Sequence, residues 1–560
     1  MNKIPKTQYA VQLIGPGKLE LNKSKPVDEP KGFQILAKIE ANGLCFSDLK
    51  LLKQFTSHAR KSEIVQGADA EMLAGIPSYV PGDRPVVPGH ETVIRIVAVG
   101  DKVQQHKVGE RCLVQTDYRG LKTAAGSNAA FGYNFDGGLE EYVIIDERIS
   151  QDHLTGERFL IPVSETKSAS AICLVEPWAC VENSYLNEER RQVKDGGRLA
   201  IVADSGRQIK GVKDAMGRSH KKSSVTIVCP DAAQQQAVDQ LGAHVEKVQA
   251  VSDLKDVSYD DIIYFGSEKT VIEQLSGKLA EKGIINIVLG GRKIGAPVAI
   301  GIGRIHYGMT RWIGTPGDDA SESYAMIPVT TELRKNDKCL VIGAGGPMGQ
   351  MHVIRNVCTG IEGVSVVGTD FDDARLAALR RIVDPIAEEN GVACSMVNTQ
   401  KEKLQDKFTY VAVMAPVPAV VAGALADCAQ DSLINIFAGI PAPTIHSMDI
   451  DAVIAKRAYM FGTSGSVLRD MKVVLSKLES GKLDTNYSLD AVCGMAGAIE
   501  GLVAVENRTL SGKIIVYPEL HEMGLIPLSK LAAVYPTVVD KMQDGLWTQE
   551  AEAELLAKAK

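Results

Sequence analysis

Six side chains in the first 180 residues have the types that bind a divalent ion or move a proton. They are Cys45, Ser47, Asp48, His90, Glu91 and Glu176. Thiolate sulfur, imidazole nitrogen and carboxylate oxygen are the ligands that zinc accepts in proteins. Taken singly, a cysteine or a histidine is more often a core residue, and a glutamate is more often an exposed charge. Because they precede a nucleotide-binding motif in this order, together they predict a metal centre.

That nucleotide-binding motif is a glycine-rich turn at residues 343–349, preceded by the apolar run 339–342. We expect a strand that runs into a helix, with Gly343 in the tight turn, Gly345 beside a pyrophosphate and Gly349 at the contact between helix and strand. The first N–H groups of the helix would bind the phosphates. The alternative is a structural turn with no ligand. The predicted cofactor-binding residues are Gly343, Gly345, Gly346, Pro347, Met348, Gly349 and Asp370.

Asp370 follows the next apolar run, roughly 20 residues beyond the glycines, where a carboxylate can accept hydrogen bonds from ribose hydroxyls. The same charge repels a 2′-phosphate, so the sequence favours NAD over NADP. In the alternative reading, the aspartate only caps a helix.

The elements around this motif occur twice along the chain. Apolar runs alternate with helical patterns, which is typical of parallel βαβ units. Asp231 follows its run as Asp370 does, which predicts a tandem duplication rather than two unrelated α/β units. The expected strands are 199–202, 225–228, 262–265 and 284–289 in the first series, and 339–342, 364–367, 410–413 and 433–437 in the second.

The first series lacks the glycines. Ala203, Ser205 and Ile209 stand where Gly343, Gly345 and Gly349 stand in the second. Because a side chain at Ser205 would crowd a phosphate, we predict that this degenerate copy, residues about 196–330, does not bind a dinucleotide in the usual way and that each chain binds one NAD.

Residues 1 to about 150 show short alternating runs with Gly and Pro between them, which indicates a β domain. The fold class is therefore α/β multidomain, with a β-barrel catalytic domain and two tandem Rossmann-like parallel-sheet domains. The predicted domains are 1–190 (completed by 466–520), 191–330 as the degenerate copy, 331–465 as the NAD-binding domain, and 521–560 as a helical tail whose last turns, 550–560, we expect to be exposed.

The bulk composition limits the partners. The net charge of -7 argues against nucleic acid or anionic lipid as a partner and favours a small molecule. We expect no membrane segment and no secretory signal. The ten cysteines are scattered, which suits a reducing, cytoplasmic environment.

With these motifs in order, the sequence resembles the zinc-containing medium-chain dehydrogenase/reductase superfamily, in which a GroES-like domain carries zinc and a Rossmann domain carries the nicotinamide. Residues 368–376, 414–418 and 461–465 resemble the branch of sorbitol dehydrogenase and L-sorbose-1-phosphate reductase. The resemblance implies an NAD-linked alcohol or polyol dehydrogenase, or a ketose or ketose-phosphate reductase.

The resemblance also assigns roles to residues. Cys45 and His90 would be zinc ligands, Glu91 a ligand directly or through water, and Glu176 a further ligand. Asp48 would orient the His90 ring. Ser47 would relay the alcohol proton, so Ser47, Asp48 and Glu91 form the predicted catalytic set.

Three departures from the superfamily pattern bear on these expectations. The segment 111–142 contains one cysteine, Cys112, where many members have four, so we expect one catalytic zinc and no structural zinc. The interval from Cys45 to His90 is long, which implies that the insertion 53–88 remodels the substrate pocket. The extra α/β copy suggests either an intramolecular pseudo-dimer, with residues 196–330 covering the sheet edge of residues 331–464, or an appendage with ordinary homo-oligomerisation. The alternative function is a pseudoenzyme that binds NAD and acts in sensing or scaffolding.

Overall fold

The computed structural model describes residues 4–217, 223–228, 231–241 and 244–559. The chain divides into two compact units, residues 1–180 with 466–560, and residues 181–465. The finer division at residues 190, 330, 465 and 520 stays a prediction. Among the described residues, no helix combines the length and the apolar character that crossing a bilayer requires.

The first unit begins with a β-rich region that includes two helices before β5 and two after β10. Its strands are β1 (Thr7–Gly15), β2 (Lys18–Pro26), β3 (Gln34–Gly43), β4 (Ile64–Gln66), β5 (Glu91–Val99), β6 (Arg111–Val114), β7 (Asp117–Thr123), β8 (Asn128–Ala130), β9 (Tyr142–Asp146) and β10 (Leu160–Pro162). Its helices are α1 (Phe46–Gln54), α2 (Ala70–Ala74) and α3 (Ala169–Cys173), and α4 (Val175–Leu186) begins in it and ends beyond residue 180.

The second unit contains alternating strands and helices. The strands are β11 (Arg198–Ala203), β12 (Ser224–Val228), β13 (His244–Val248), β14 (Tyr259–Phe265), β15 (Leu279–Val288), β16 (Val298–Ile300), β17 (Arg311–Thr315), β18 (Lys338–Ile342), β19 (Ser365–Asp370), β20 (Ala393–Asn398), β21 (Phe408–Val413), β22 (Cys428–Ile436), β23 (His446–Met448) and β24 (Tyr459–Phe461). The helices are α5 (Val212–Met216), α6 (Ala232–Asp239), α7 (Lys269–Ser276), α8 (Gly303–Tyr307), α9 (Ala320–Met326), α10 (Pro347–Val357), α11 (Asp373–Asn390), α12 (Pro418–Ala424) and α13 (Ile450–Lys456).

The chain then completes the first unit. The elements are α14 (Leu468–Glu479), β25 (Leu489–Cys493), α15 (Met495–Asn507), β26 (Lys513–Val516), β27 (Ile526–Pro527), α16 (Pro536–Val539) and α17 (Gln549–Lys558).

The main sheet of the first unit joins strands from both ends of the chain. Its order is β10-β6-β5-β3-β26-β25-β27, and β9 also pairs with β3. Strands β3 and β5 are antiparallel with Gly43 opposite Glu91, so the residues just after β3 and just before β5 lie at the same end of the sheet. Strand β26 pairs with β3 at that end, through Ile515 and Gly43. This register positions the candidate metal ligands.

The tail does not match the expectation of exposed final turns. Ala551, Glu552 and Leu555 of α17 are buried. The Glu552 carboxylate accepts hydrogen bonds from the backbone N–H groups of Ala169 and Ser170, at the N-terminus of α3. The Ala/Glu/Lys-rich composition indicated a helix, but a buried glutamate at a helix N-terminus cannot be recognised from composition.

The second unit is built on a single sheet of twelve strands. Its order is β13-β12-β11-β14-β15-β17 followed by β24-β22-β21-β18-β19-β20. Within each set of six the pairs are parallel, and the two sets meet where β17 and β24 pair antiparallel, with Trp312 opposite Met460. The eight expected strands are present. Strands β13 and β20 were not predicted from the sequence; they are the outermost strands and bury little of their surface.

Candidate functional site

Three of the predicted metal ligands lie together in the first unit. Ligand atoms of Cys45, His90 and Glu91 all lie within 4.8 Å of one another. Cys45 precedes α1 just beyond the end of β3, and His90 and Glu91 stand at the start of β5. Strand register therefore brings together residues that are 45 positions apart in the sequence.

Asp48 positions two of these residues at once. Its Oδ1 lies 2.9 Å from Nδ1 of His90, and its Oδ2 accepts a hydrogen bond of 3.0 Å from the backbone N–H of Cys45. Asp48 is fully buried. A carboxylate on Nδ1 fixes the ring orientation and leaves the other nitrogen for a metal. Asp48 thus lies where the sequence prediction expects it.

Glu91 is held by a residue that sequence reasoning missed. Its Oε1 accepts hydrogen bonds from Nζ of Lys513 at 2.5 Å, and that lysine also donates to the carbonyl oxygen of Leu44 at 2.7 Å. Glu91 Oε2 is buried and has no hydrogen-bond partner among the described residues. A Cβ at Gly43 would lie 2.1 Å from this oxygen, so only glycine leaves room for it. No local motif identifies Lys513, which is 422 residues away in the chain.

Glu176 stands outside the tight group of three. It is buried on α4, and the Cys180 thiol lies 3.9 Å from its Oε1. Burial raises the pKa of Glu176 to about 7, with the charge of His90 acting against the increase and that of Glu91 adding to it. Its carboxylate is therefore within electrostatic reach of the group, and its role as a further metal ligand stays a prediction.

His90 and the missed residue Tyr133 form the aromatic side of this site. The ring centroids of His90 and Tyr133 are 5.7 Å apart, and both residues are buried. Burial alone would lower the pKa of His90, but Tyr133 and Asp48 together hold it well above its ordinary value. Ser47 is half-buried in the first turn of α1, two residues after Cys45.

The donors and the burial fit a divalent cation. Sulfur, imidazole and carboxylate converge, and the buried Glu91 Oε2 has its hydrogen-bonding capacity unused. A buried charged oxygen without a partner is costly unless a ligand satisfies it. Zinc accepts this donor set, with a further position left for water or substrate.

The second unit contains the glycine-rich turn in the predicted strand–turn–helix context. The backbone of Gly343 has φ +84°, and a Cβ at Gly349 would lie 2.2 Å from the Gly343 carbonyl oxygen. Gly346 is the N-cap of α10 and has open space where a Cβ would be, and Pro347 and Met348 begin the helix. The turn therefore has the close approaches that glycine allows and an unobstructed helix N-terminus.

Asp370 ends β19 beside this turn. Its Oδ2 accepts a hydrogen bond of 2.9 Å from the Gly345 N–H, and its Oδ1 accepts from the N–H of Phe371 at 2.8 Å. A Cβ at Gly345 would lie 2.8 Å from Asp370 Oδ2. The carboxylate is thus fixed at the end of the second strand, as a ribose-binding aspartate requires.

The corresponding turn of the first series is filled by its own side chains. The guanidinium of Arg207 donates to the carbonyl oxygens of Val288 and Leu289, at 2.9 and 3.0 Å. The amide of Gln234 donates to the carbonyl oxygens of Asp204 and Arg207. The helix that follows, α5, is only five residues long.

Comparisons with known proteins agree with this architecture. Residues 31–151 match the alcohol dehydrogenase GroES-like domain. The chain is 24% identical over 353 residues to mannitol-1-phosphate 5-dehydrogenase of Aliivibrio fischeri, covering 58% of this chain and 78% of that protein. It is 26% identical over 234 residues to L-sorbose 1-phosphate reductase of Klebsiella pneumoniae, covering 40% and 56%. The structure of 2R,3R-butanediol dehydrogenase from Bacillus subtilis shares the fold, with a TM-score of 0.50 and 14% identity over 91% of this chain and all of that one.

The matched domain and these relatives support a member of the medium-chain dehydrogenase/reductase superfamily. The chain is an alcohol dehydrogenase-type oxidoreductase by relationship. Cys45, His90 and Glu91 all lie within the residues that match this domain.

Proposed function

We propose that this protein is a zinc-dependent, NAD-linked dehydrogenase of polyols or related secondary alcohols, acting in the other direction as a ketose or ketose-phosphate reductase. The observation that carries the proposal is the buried convergence of Cys45, His90 and Glu91. The names of two relatives, a mannitol-1-phosphate dehydrogenase and an L-sorbose 1-phosphate reductase, support the substrate class.

Each residue of the first unit then has a defined task. Cys45 and His90 hold the zinc, Glu91 joins them directly or through water, and Glu176 is available as a further ligand. Bound zinc supplies Lewis-acid chemistry, which lowers the pKa of the substrate alcohol and stabilises negative charge on its oxygen. Asp48 keeps the His90 ring in its binding orientation, and Ser47 passes the alcohol proton toward solvent.

We propose that NAD binds the second unit at the turn of Gly343, Gly345 and Gly349. The helix N-terminus at Gly346, Pro347 and Met348 receives the pyrophosphate. Asp370 accepts hydrogen bonds from the ribose hydroxyls and disfavours NADP. The turn of the first series binds no dinucleotide, because Arg207 and Gln234 fill it.

We also propose that the two series arose by duplication and form an intramolecular pseudo-dimer. A matched irregularity supports this idea. Lys282 in β15 and Asp431 in β22 both have φ +57°, each on the fourth residue of its strand. The neighbouring strand register shifts at both places. Bulges are conserved within families, so an irregularity at the same place in both series supports common descent.

Replacement of Cys45 tests the proposal. Cys45→Ala should reduce bound zinc from one ion per chain to none and lower turnover of polyols by more than about 100-fold, because one charged ligand is lost. NAD affinity should stay unchanged. The measurements are metal analysis, NAD reduction with a panel of polyols, and calorimetry with NAD.

Cys112→Ala is the matched control, since Cys112 is also buried in the first unit but lies outside the group of three. It should retain zinc and turnover. Unchanged turnover in Cys45→Ala would contradict the proposal. A wild-type protein that binds NAD and oxidises no polyol would favour the pseudoenzyme instead.

A further inference from the structure

The segment 53–88 is an ordered part of the first unit. After α1 it forms two 3-10 turns at Phe55–Ser57 and Ala59–Lys61, and strand β4 then pairs antiparallel with β7. The Lys61 side chain is fully buried, and its Nζ donates to the carbonyl oxygens of Val80 and Arg84. This internal anchor fixes the turn that carries the residues next to Lys61.

The anchored turn lies against Tyr133, the aromatic neighbour of His90. The guanidinium carbon of Arg60 is 5.4 Å from the centroid of the Tyr133 ring, and the His58 ring centroid is 5.2 Å from it. Since Tyr133 in turn contacts His90, a single aromatic ring separates the Arg60 guanidinium from a candidate zinc ligand.

A second arginine lies beside Arg60. Arg119, on β7, donates from Nε to Asp117 Oδ2 at 3.1 Å, while Nη2 of Arg60 lies 3.6 Å from Asp117 Oδ1. Arg119 Nη2 also donates to the carbonyl oxygen of Ser466 at 2.7 Å. Two guanidinium groups thus share one carboxylate, and both side chains are partly exposed, at 31% and 46%.

The neighbouring titratable group supports a positive potential at this position. Burial, followed by the charges of Arg60 and Lys50, lowers the pKa of His58 to about 4. His58 is therefore neutral at pH 7 and adds no charge of its own beside the arginines. One carboxylate against two guanidinium groups leaves an uncompensated positive charge.

We propose that Arg60 and Arg119 bind the phosphate of a phosphorylated polyol or ketose whose hydroxyl or carbonyl carbon reacts at the candidate metal site. The guanidinium fork matches phosphate oxygens in two hydrogen bonds, and phosphate carries more charge than a carboxylate. This inference rests on the proposed function and gives the segment 53–88 a role in substrate selection.

The experiment compares each polyol with its phosphate ester, using the zinc-loaded full-length chain, NAD, and the pairs mannitol with mannitol 1-phosphate and sorbitol with sorbitol 6-phosphate. Wild-type kcat/KM should be at least about 10-fold higher for the phosphorylated member of one pair. Arg60→Gln and Arg119→Gln should each raise KM for that ester by about 10–100-fold, with kcat and the kinetics of the free polyol unchanged. Arg60→Lys should recover part of the loss, because it keeps the charge without the fork.

Arg148→Gln is the matched control. Arg148 is another partly exposed arginine of the first unit that pairs with an aspartate, Asp146. Arg148→Gln should leave kcat and KM unchanged for the polyols and for their phosphate esters. Three results would overturn the inference. The first is equal kcat/KM for the esters and the free polyols, and the second is a higher kcat/KM for gluconate, which carries a carboxylate and no phosphate, than for the esters. The third is an equal loss of kcat/KM for both members of a pair in Arg60→Gln.

Calorimetry with mannitol 1-phosphate or sorbitol 6-phosphate separates this inference from the proposed function. Binding that is lost in Arg60→Gln, in a wild-type protein that oxidises no polyol, would support the phosphate site and contradict the proposed function. Oxidation of free polyols with no Arg60-dependent binding of either ester would support the proposed function and contradict the phosphate site.

Discussion

The two halves of the twelve-stranded sheet have the same strand order, and their glycine turns differ in every position that a dinucleotide needs. The half from β18 to β24 has Gly343, Gly345 and Gly349, followed by an eleven-residue helix. The half from β11 to β17 has side chains at those positions and a five-residue helix. The sheet pairing is retained where the ligand turn is not. The first half therefore keeps its edge pairing with the second, through β17 and β24, without the glycines of a nucleotide turn.

The centre of the sheet shows how that pairing is specified. The Glu189 carboxylate accepts two hydrogen bonds of 2.9 Å from Arg311, at the start of β17, and one of 2.6 Å from the hydroxyl of Tyr459, at the start of β24. Arg311 and Tyr459 occupy equivalent places in the two halves, next to the paired Trp312 and Met460. Two identical halves would present the same residue twice, so this contact requires halves that differ.

The largest expected effect comes from breaking this central contact. Burial by itself raises the pKa of Glu189, but Arg311 outweighs it and holds the pKa below its ordinary value. Glu189→Gln leaves the buried Arg311 charge without its partner, which should cost about 3–5 kcal/mol of unfolding free energy. Urea denaturation at pH 7 measures the change.

Tyr459→Phe serves as the comparison for Glu189→Gln. It removes one hydrogen bond and keeps the ion pair, so it should cost only about 1 kcal/mol. If Glu189→Gln were no worse than Tyr459→Phe, the ion pair would not be what stabilises the junction.

Paired substitutions in the two turns test whether only the second half binds NAD. Gly349→Ala places a Cβ 2.2 Å from the Gly343 carbonyl oxygen, so it should distort the turn and weaken NAD binding by at least about 100-fold, equivalent to about 2.7 kcal/mol. Ile209→Ala, at the equivalent place, should leave the affinity and the stoichiometry of one NAD per chain unchanged. Calorimetry measures both, and a stoichiometry of two would contradict the assignment of a single site.

A smaller difference between the halves should appear in acid. His352, on α10, is buried with Nδ1 2.8 Å from the Tyr185 hydroxyl, and burial together with Arg355 lowers its pKa to about 3. At the same distance along the chain from the turn, the first half has Val212, which does not titrate. As pH falls below about 6.5, the unfolded chain takes up a proton at this histidine and the folded chain does not, so stability is lost between pH 6.5 and 3.

Between pH 7 and pH 5 this histidine should therefore lower the unfolding free energy by about 2 kcal/mol. In His352→Gln the decrease over the same range should be smaller by that amount. Val212→Ala should reduce stability equally at both pH values. Identical profiles of unfolding free energy against pH for wild type and His352→Gln would contradict this prediction. They would show that the folded chain protonates His352 over the same pH range as the unfolded chain.

Sequence periodicity was sufficient for eight strands of the twelve-stranded sheet, since each is rich in buried apolar residues; they are β11, β12, β14, β15, β18, β19, β21 and β22. It failed for β13 and β20, because an edge strand has one neighbour and carries mostly polar side chains. The docking of α17 depends on Glu552 meeting a helix N-terminus about 380 residues away, which no local pattern encodes.

The residues of the candidate site also fall into those that the sequence predicts and those that only the fold reveals. Cys45, Asp48, His90 and Glu91 could be predicted, because their types and order form a recognisable motif. Lys513 and Tyr133 could not, since a lysine in a strand and a tyrosine in a loop are ordinary until the sheet register brings them to Glu91 and His90.

The antiparallel pairing of β17 with β24 has a consequence for how this molecule behaves on dilution. Subunits joined by such an edge separate when their concentration falls below the dissociation constant, whereas two edges on one polypeptide remain at a fixed effective concentration. The sheet therefore persists at any dilution, and each edge is free to change its residues without a matching change being imposed on an identical copy.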